Sequence, residues 1–259
     1  MTWAGKRRFQ YLGGLFLFIA LIVFWVLYPV IFSKPTCTDG KMNGTETGID
    51  CGGTCSLMCK ADVSDPLVLW SRAFHVTSSA YNLVAIIENP NTNSAIKSAS
   101  YEFQVFDTDN KMIGRREGTT FLPPNQQFAI FEPRFDAGNS QVKHVLFRFT
   151  SDLVWYKRNP TINTLPIFVD NKVFNTNENS STLTAVMNNE SIYDLPPFDA
   201  VAIFYDADRN AINASKTHKE GLGTNSKITL TFTWPKGFGD DPVPPYDVIP
   251  LINPFTTPF

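Results

Sequence analysis

Four cysteines fall within one short stretch, Cys37, Cys51, Cys55 and Cys59, and the rest of the chain has none. Thiols so placed can pair with one another or hold zinc. Structural zinc sites usually show two Cys-x-x-Cys knuckles. Here thirteen, three and three residues separate successive cysteines, which fits disulfides better. An even count outside the cytoplasm implies two bridges, with three pairings open.

The same stretch is rich in oxygen ligands. Asp39 to Asp50 spans twelve residues with Asn43 fifth and Gly44 sixth. A calcium loop of the EF-hand kind needs glycine sixth, for the sharp turn, and oxygens at positions one, three, five and twelve. Asp39, Asn43, Glu46 and Asp50 are therefore candidate calcium ligands. Lys41 at position three, the short Asp50 at twelve and the lack of flanking amphipathic helices depart from that pattern. The other reading is that these side chains cap tight turns. No other cofactor is expected.

Elsewhere the chemistry is thin. His75, His144 and His218 are the only histidines; His144 sits in an expected strand, His75 near another, and His218 in a polar loop beside Lys219. No His-Glu-x-x-His or Gly-x-Ser-x-Gly motif occurs, and these spacings are what zinc proteases and nucleophile elbows require. Asp107-x-Asp109 and Asp206-x-Asp208 follow strands, where acidic turns are ordinary. The sequence reads as no enzyme, with no small-molecule substrate evident.

The element that places all of this is an apolar run. Residues 9–33 carry no charge and no histidine. A helix rising ~1.5 Å per residue crosses a ~30 Å hydrocarbon layer over that length. Lys6, Arg7 and Arg8 precede the run, so the positive-inside rule keeps the first residues cytoplasmic. The run is too long for a signal peptide and lacks a small-x-small cleavage site. The expected organisation is a cytoplasmic 1–10, a single-pass membrane anchor at 11–33, a Cys-rich disulfide knob at 34–61, and extracytoplasmic domains at 62–160 and 161–259. With the three leading cations set aside, 19 Lys and Arg face 24 Asp and Glu. Such an acidic ectodomain has no nucleic-acid footprint.

The two large segments repeat. Phe103–Ile113 lines up with Ala202–Ile212 at an offset of 99, which sets Asp107 on Asp206, Asp109 on Asp208 and Asn89 on Asn188. Asn125–Ile130 returns as Asn225–Leu230 at an offset of 100. Tyr101, Phe103 and Val105 alternate with Glu102 and Gln104, and Ile228, Leu230, Phe232 and Trp234 alternate with threonines. That period of two marks half-buried strands. About seven strands per ~100 residues indicate two tandem immunoglobulin-like β-sandwiches, so the fold class is all-β.

Two resemblances attach to these residues. Cys37, Asp39, Gly40, Asn43, Gly44, Glu46, Thr47, Asp50, Cys51, Gly52, Gly53 and Cys55 resemble a short Cys-rich repeat of secreted bacterial proteins. Phe103-Gln-Val-Phe-Asp107, preceded by Ile87-Glu-Asn-Pro-Asn91 and followed by Ile113-Gly114, resembles the motif of the FxLYD domain; Ala202-Ile-Phe-Tyr-Asp206 is its second, weaker copy. The resemblance implies an immunoglobulin-like sandwich related to late-embryogenesis-abundant domains, usually outside the cytoplasm. It also implies core aromatics, an Asp that begins a turn, and no catalytic residues.

One strand breaks the pattern. Val201, Ile203 and Tyr205 oppose Ala200, Ala202 and Phe204, so both faces are apolar. A sandwich strand normally leaves one face wet. Val201, Ile203 and Tyr205 are therefore a candidate interface, covered by copy one, by the Pro-rich tail or by another protein. The tail after residue 240 is too rich in proline for a central strand, yet Val248, Ile249, Leu251 and Ile252 are too apolar for a linker. It is expected as an edge segment along copy two, loose from Thr256. The functional expectation is a membrane-anchored, extracytoplasmic binding or scaffold protein of the cell envelope with a protein partner. The alternative is a structural subunit of an envelope complex, such as a pilus or secretion machine.

Overall fold

A computed structural model describes residues 3–31, 34–158, 165–236, 238 and 245–256. The expected end of the anchor at 33, the boundary at 160 and the tail beyond Thr256 lie outside those residues. Two compact units are present, Met1–Cys55 and Ser56–Phe259. In the first, α1 (Trp3–Ile31) is one continuous helix. Its stretch Arg7–Tyr28 is long and apolar enough to cross a membrane, and none of it is buried by protein. Arg7 lies over the Trp3 ring.

The second unit is all-β apart from one 3-10 turn, Lys60–Asp62, among the described residues. Its first sandwich uses β1 (Leu67–Thr77), β2 (Ala80–Asn89), β3 (Ser94–Asp107), β4 (Met112–Leu122), β5 (Gln126–Asp136), β6 (Val142–Phe149) and β7 (Trp155–Lys157). One sheet runs β1-β2-β5; the other runs β4-β3-β6, with the short β7 also on β3. The second sandwich uses β8 (Ile167–Thr176), β9 (Ser181–Asn189), β10 (Phe198–Tyr205), β11 (Ala211–Lys219), β12 (Ser226–Trp234) and β13 (Tyr246–Leu251). Its sheets run β12-β9-β8 and β11-β10-β13. All pairings are antiparallel.

Each sandwich has its own core. Tyr81, Leu83, Ala85 and Ile87 of β2 meet Tyr101, Phe103 and Val105 of β3 and Val145 and Phe147 of β6. Leu183 and Met187 of β9 meet Ala200, Ala202 and Phe204 of β10 and Leu230, Phe232 and Trp234 of β12. Within each strand these core-facing residues stand at every second position, as the period-two reading requires. The tail enters as β13, pairing with β10 and setting Pro250 opposite Ala200. A strand with a neighbour on one side only tolerates proline.

The repeat is real, but its register needs one correction. Asn89 corresponds to Asn189, not Asn188. Asn89 donates to the carbonyls of Ser94 and Pro123, while its Oδ1 accepts from the Asn91 amide. Asn189 donates to the carbonyls of Tyr193, Leu222 and Gly223, and its Oδ1 accepts from the Ser191 amide. An offset of 99 would have turned the inward face of β9 outward, because a one-residue slip exchanges the two faces of a strand. The turns after β3 and β10 do keep the offset of 99. The Asp107 carboxylate accepts from the Asp109 and Lys111 amides, and that of Asp206 from the Asp208 and Asn210 amides. Asn110 and Arg209 occupy the same left-handed position at φ 60° and 64°.

A third core joins the sandwiches. Phe74 of β1, Val84 and Ile86 of β2, and Ala129 and Phe131 of β5 pack against Val201 and Ile203 of β10 and Ala211 and Ala214 of β11. Trp70, Tyr205, Ile249 and Leu251 close around them. The order of layers is thus β4-β3-β6, β1-β2-β5, β11-β10-β13, β12-β9-β8. The two inner sheets are covered on both faces. The expected division at 160/161 separates two sandwiches but not two independent compact bodies.

Candidate functional site

The cysteine-rich segment is ordered by cross-links and caps. Cys37 and Cys55 form one disulfide; no cysteine is free, and Cys51 and Cys59 are disulfide-bonded as well. Three of the four candidate calcium ligands, Asp39, Glu46 and Asp50, accept backbone amides, and the fourth, Asn43, donates to Asp39. Asp50 accepts the Gly40 amide on both oxygens. Asp39 accepts the Asn43 side-chain amide at 2.8 Å and the Lys41 backbone amide at 2.9 Å. The first of these bonds, more than the second, holds the Asp39 carboxyl below its usual range. Glu46 accepts the Asn43 amide at 3.1 Å. Among the described residues, the one close set of three metal-type ligands is Cys37, Glu46 and Cys55. Two of its members are a disulfide, so no thiolate remains there for a metal. Asp39, Glu46 and Asp50 do not converge as a calcium cage requires.

Val201 and Ile203 are fully buried, inside the core between the sandwiches. Their cover is copy one together with Ile249 and Leu251 of the tail. Tyr205 borders the same core and points its hydroxyl toward Asp247; burial first, then that carboxylate, pushes its pKa up to about 12. Beside it Arg72 of β1 donates to the Ala211 carbonyl at 2.8 Å and to Asn210 Oδ1 at 3.2 Å. That bond ties copy one to the acidic turn of copy two. Sequence reading identified β10 and named copy one and the tail among its possible covers, but not β1, β2 and β5 as the facing strands. The signal was available: Leu83-Val-Ala-Ile-Ile87 and Phe128-Ala-Ile-Phe131 are continuous apolar runs, and such runs mark strands covered on both faces.

The outer face of β3 carries charge instead. Glu102 is almost fully buried, yet it faces away from the sandwich core. Arg148 reaches it through Nε at 3.1 Å and a terminal nitrogen at 3.0 Å. Gln104 donates at 2.7 Å, and Arg115 lies 3.7 Å away. The Gln104 amide foremost, then Arg148, outweighs burial and keeps the Glu102 carboxyl below its ordinary range. Phe106, expected in the core, lies on this same outer face, stacked on His144 at 4.8 Å.

A cleft of about 470 Å³ opens where the sandwiches meet. Thr120 and Phe121 of β4 form one wall, and Phe198 and Leu251 form another, while residues 128–132 of β5 run along it. Two carboxylates project into it, each already engaged. Asp199 bonds Lys216 Nζ at 3.0 Å and His218 Nδ1 at 2.7 Å. Glu132 accepts the Tyr101 hydroxyl at 2.6 Å; burial and that carboxylate push the Tyr101 pKa far up. Gly118 is required here, because a Cβ on it would come within 2.4 Å of the Tyr101 oxygen. His218 lies in β11 rather than in a loop, since it pairs in register with Asp199. His75 bonds the Ser78 carbonyl in a different cleft, so the three histidines do not assemble.

No family model and no curated protein matches the chain. Among solved structures, a red sea bream transglutaminase is 10% identical, with 73% of this chain and 31% of that one covered, at a TM-score of 0.25. A β-glucuronidase from glycoside hydrolase family 2 is 11% identical over 86% of this chain and 25% of that one, at a TM-score of 0.19. The chain spans less than a third of either. Neither superposition bears on activity.

Proposed function

We propose that this chain is a membrane-tethered, non-catalytic binding or scaffold module, with its β-sandwiches outside the cytoplasm. The observation that carries the reading is the series of all-oxidised cysteines following a helix able to span a membrane. Disulfides persist in oxidising compartments, and the cations Lys6, Arg7 and Arg8 favour a cytoplasmic N-terminus. The non-catalytic reading rests on the cleft's carboxylates, which are paired with neighbours rather than poised beside a nucleophile. The FxLYD resemblance belongs with this reading. The structural-subunit alternative leaned on the doubly apolar β10, and the chain itself covers that strand.

A membrane-impermeant maleimide tests the placement. On intact cells it should label Cys37, Cys51, Cys55 and Cys59 only after an impermeant reductant is added. Labelling without reductant, or only after permeabilisation, contradicts the proposal.

A further inference from the structure

We propose that the cleft beside β5 takes up an extended segment of a partner protein as an added β-strand; this rests on the reading of the chain as a binding module and names its mode. Among the described residues β5 ends its sheet, with β2 on one side and no strand on the other. Both faces of its central residues are covered. Phe128 and Ile130 face the first core, and Ala129 and Phe131 face the core between the sandwiches. The strand is open only along its edge, where alternate N–H and C=O groups lack a strand partner.

Proteins usually blunt such edges with lysine, proline or a bulge. Phe128–Phe131 has none of these. Pro133 and the irregular pairing near Glu132 come only after them, followed by Arg134 at φ 52°. The open stretch, residues 128–132, extends about 16 Å at ~3.3 Å per residue. The cleft supplies what an incoming strand needs. Side chains on one of its faces would rest on Phe121, and those on the other on Phe198 and Leu251. Ala129, Phe131 and Leu251 also belong to the shared core, so the added strand would extend an interface already built. With Asp199 and Glu132 engaged by neighbours, the fitting segment is uncharged, and apolar where it meets Phe121 on one face and Phe198 and Leu251 on the other. Backbone bonds would provide affinity, and the two walls selectivity.

Random ten-residue peptides displayed on phage, selected against the full-length protein in detergent, test this. The selected peptides should be apolar at successive positions. They should slow amide exchange within residues 127–132 at least tenfold. N-methylating one alternate set of peptide amides should weaken binding more than tenfold, and methylating the other set should not. Thr256→Trp, which narrows the cleft from its rim, should weaken binding without altering the far-ultraviolet spectrum. The proposal is overturned if no peptide is selected, if exchange at 127–132 is unchanged, or if both methylated sets bind as well as the parent. Maleimide placement of the cysteines is independent of this result, so the two proposals can fail separately.

Discussion

The two sandwiches share a register but not a surface. On β10, Val201 and Ile203 are buried and apolar, and Ala214 and Ile249 stand beside them in the flanking strands. The positions that correspond on the first sandwich are Glu102, Gln104, Arg115 and Arg148. The opposite faces invert this. Val84, Ile86, Ala129 and Phe131 of the first sandwich correspond to Thr184, Val186, Thr229 and Thr231 of the second. Stacking of unlike faces is heterologous, and such contacts propagate unless the end faces refuse them. Here Val201 and Ile203 meet Val84, Ile86, Ala129 and Phe131, while Glu102 and the threonines lie on the two outer faces. The charged Glu102 network ends the stack on one side and the threonine face on the other, as polar caps end repeat proteins. The two sandwiches are thus a matched pair with unlike outer faces.

The largest effect expected from breaking this difference is at residues 131 and 231. Phe131→Asp buries an unpaired carboxylate and should cost on the order of 4 kcal/mol. Thr231→Asp, at the corresponding exposed site, should stay within about 0.5 kcal/mol. Denaturant unfolding of the two variants compares them directly. Next come the buried asparagines. Asn189→Ala strips partners from three carbonyls and should cost about 2–3 kcal/mol, and Asn89→Ala somewhat less, because it serves two. The same unfolding assay reads both. Arg72→Ala removes the bond to the Ala211 carbonyl and should cost about 1 kcal/mol, with exchange quickened at Ala211 and Ala214 before β9 responds.

The smallest effect is a pH dependence that Glu102 of the first sandwich contributes. The folded Glu102 carboxyl lies below its ordinary value, so the charged form is the stabilising one. Its contribution is complete above the unfolded pKa of about 4.3. It is lost as the pH falls through the lower folded value. Glu102→Gln should flatten that acid limb. Tm measured from pH 6 down to 3 checks this, and parallel curves for variant and wild type would assign the limb to other groups.

Much of this was legible from residue order. Alternation at Tyr101–Val105 and Ile228–Trp234 gave the strands, the paired Asp turns gave the repeat, and the apolar yet proline-rich tail gave an edge strand. Copy one was one of three covers left open for β10, beside the tail and another protein, and the face of copy one that meets it was not identified. Period-two reasoning scores one face of a strand, and β2 and β5 are apolar on both, so their second faces went uncounted. The asparagine register slipped by one because Asn188 and Asn189 stand side by side and the offset of 99 read at the Asp turns was carried back to them; the hydrogen bonds of Asn89 and Asn189 fix it at 100. The calcium pattern is ambiguous for a physical reason as well. Carboxylates spaced for a metal loop are equally spaced to cap the Gly40 and Lys41 amides.

The central claim is that the core between the sheets makes the two sandwiches one cooperative body. Native-state amide exchange on the full-length protein, with and without Ile203→Asp, tests it most directly. The account predicts that the slowest amides of β2 and β5 exchange with the same free energy as those of β10, and that the substitution lowers all of them together. If β10 loses protection while β2 and β5 keep theirs, the sandwiches fold independently and the account fails.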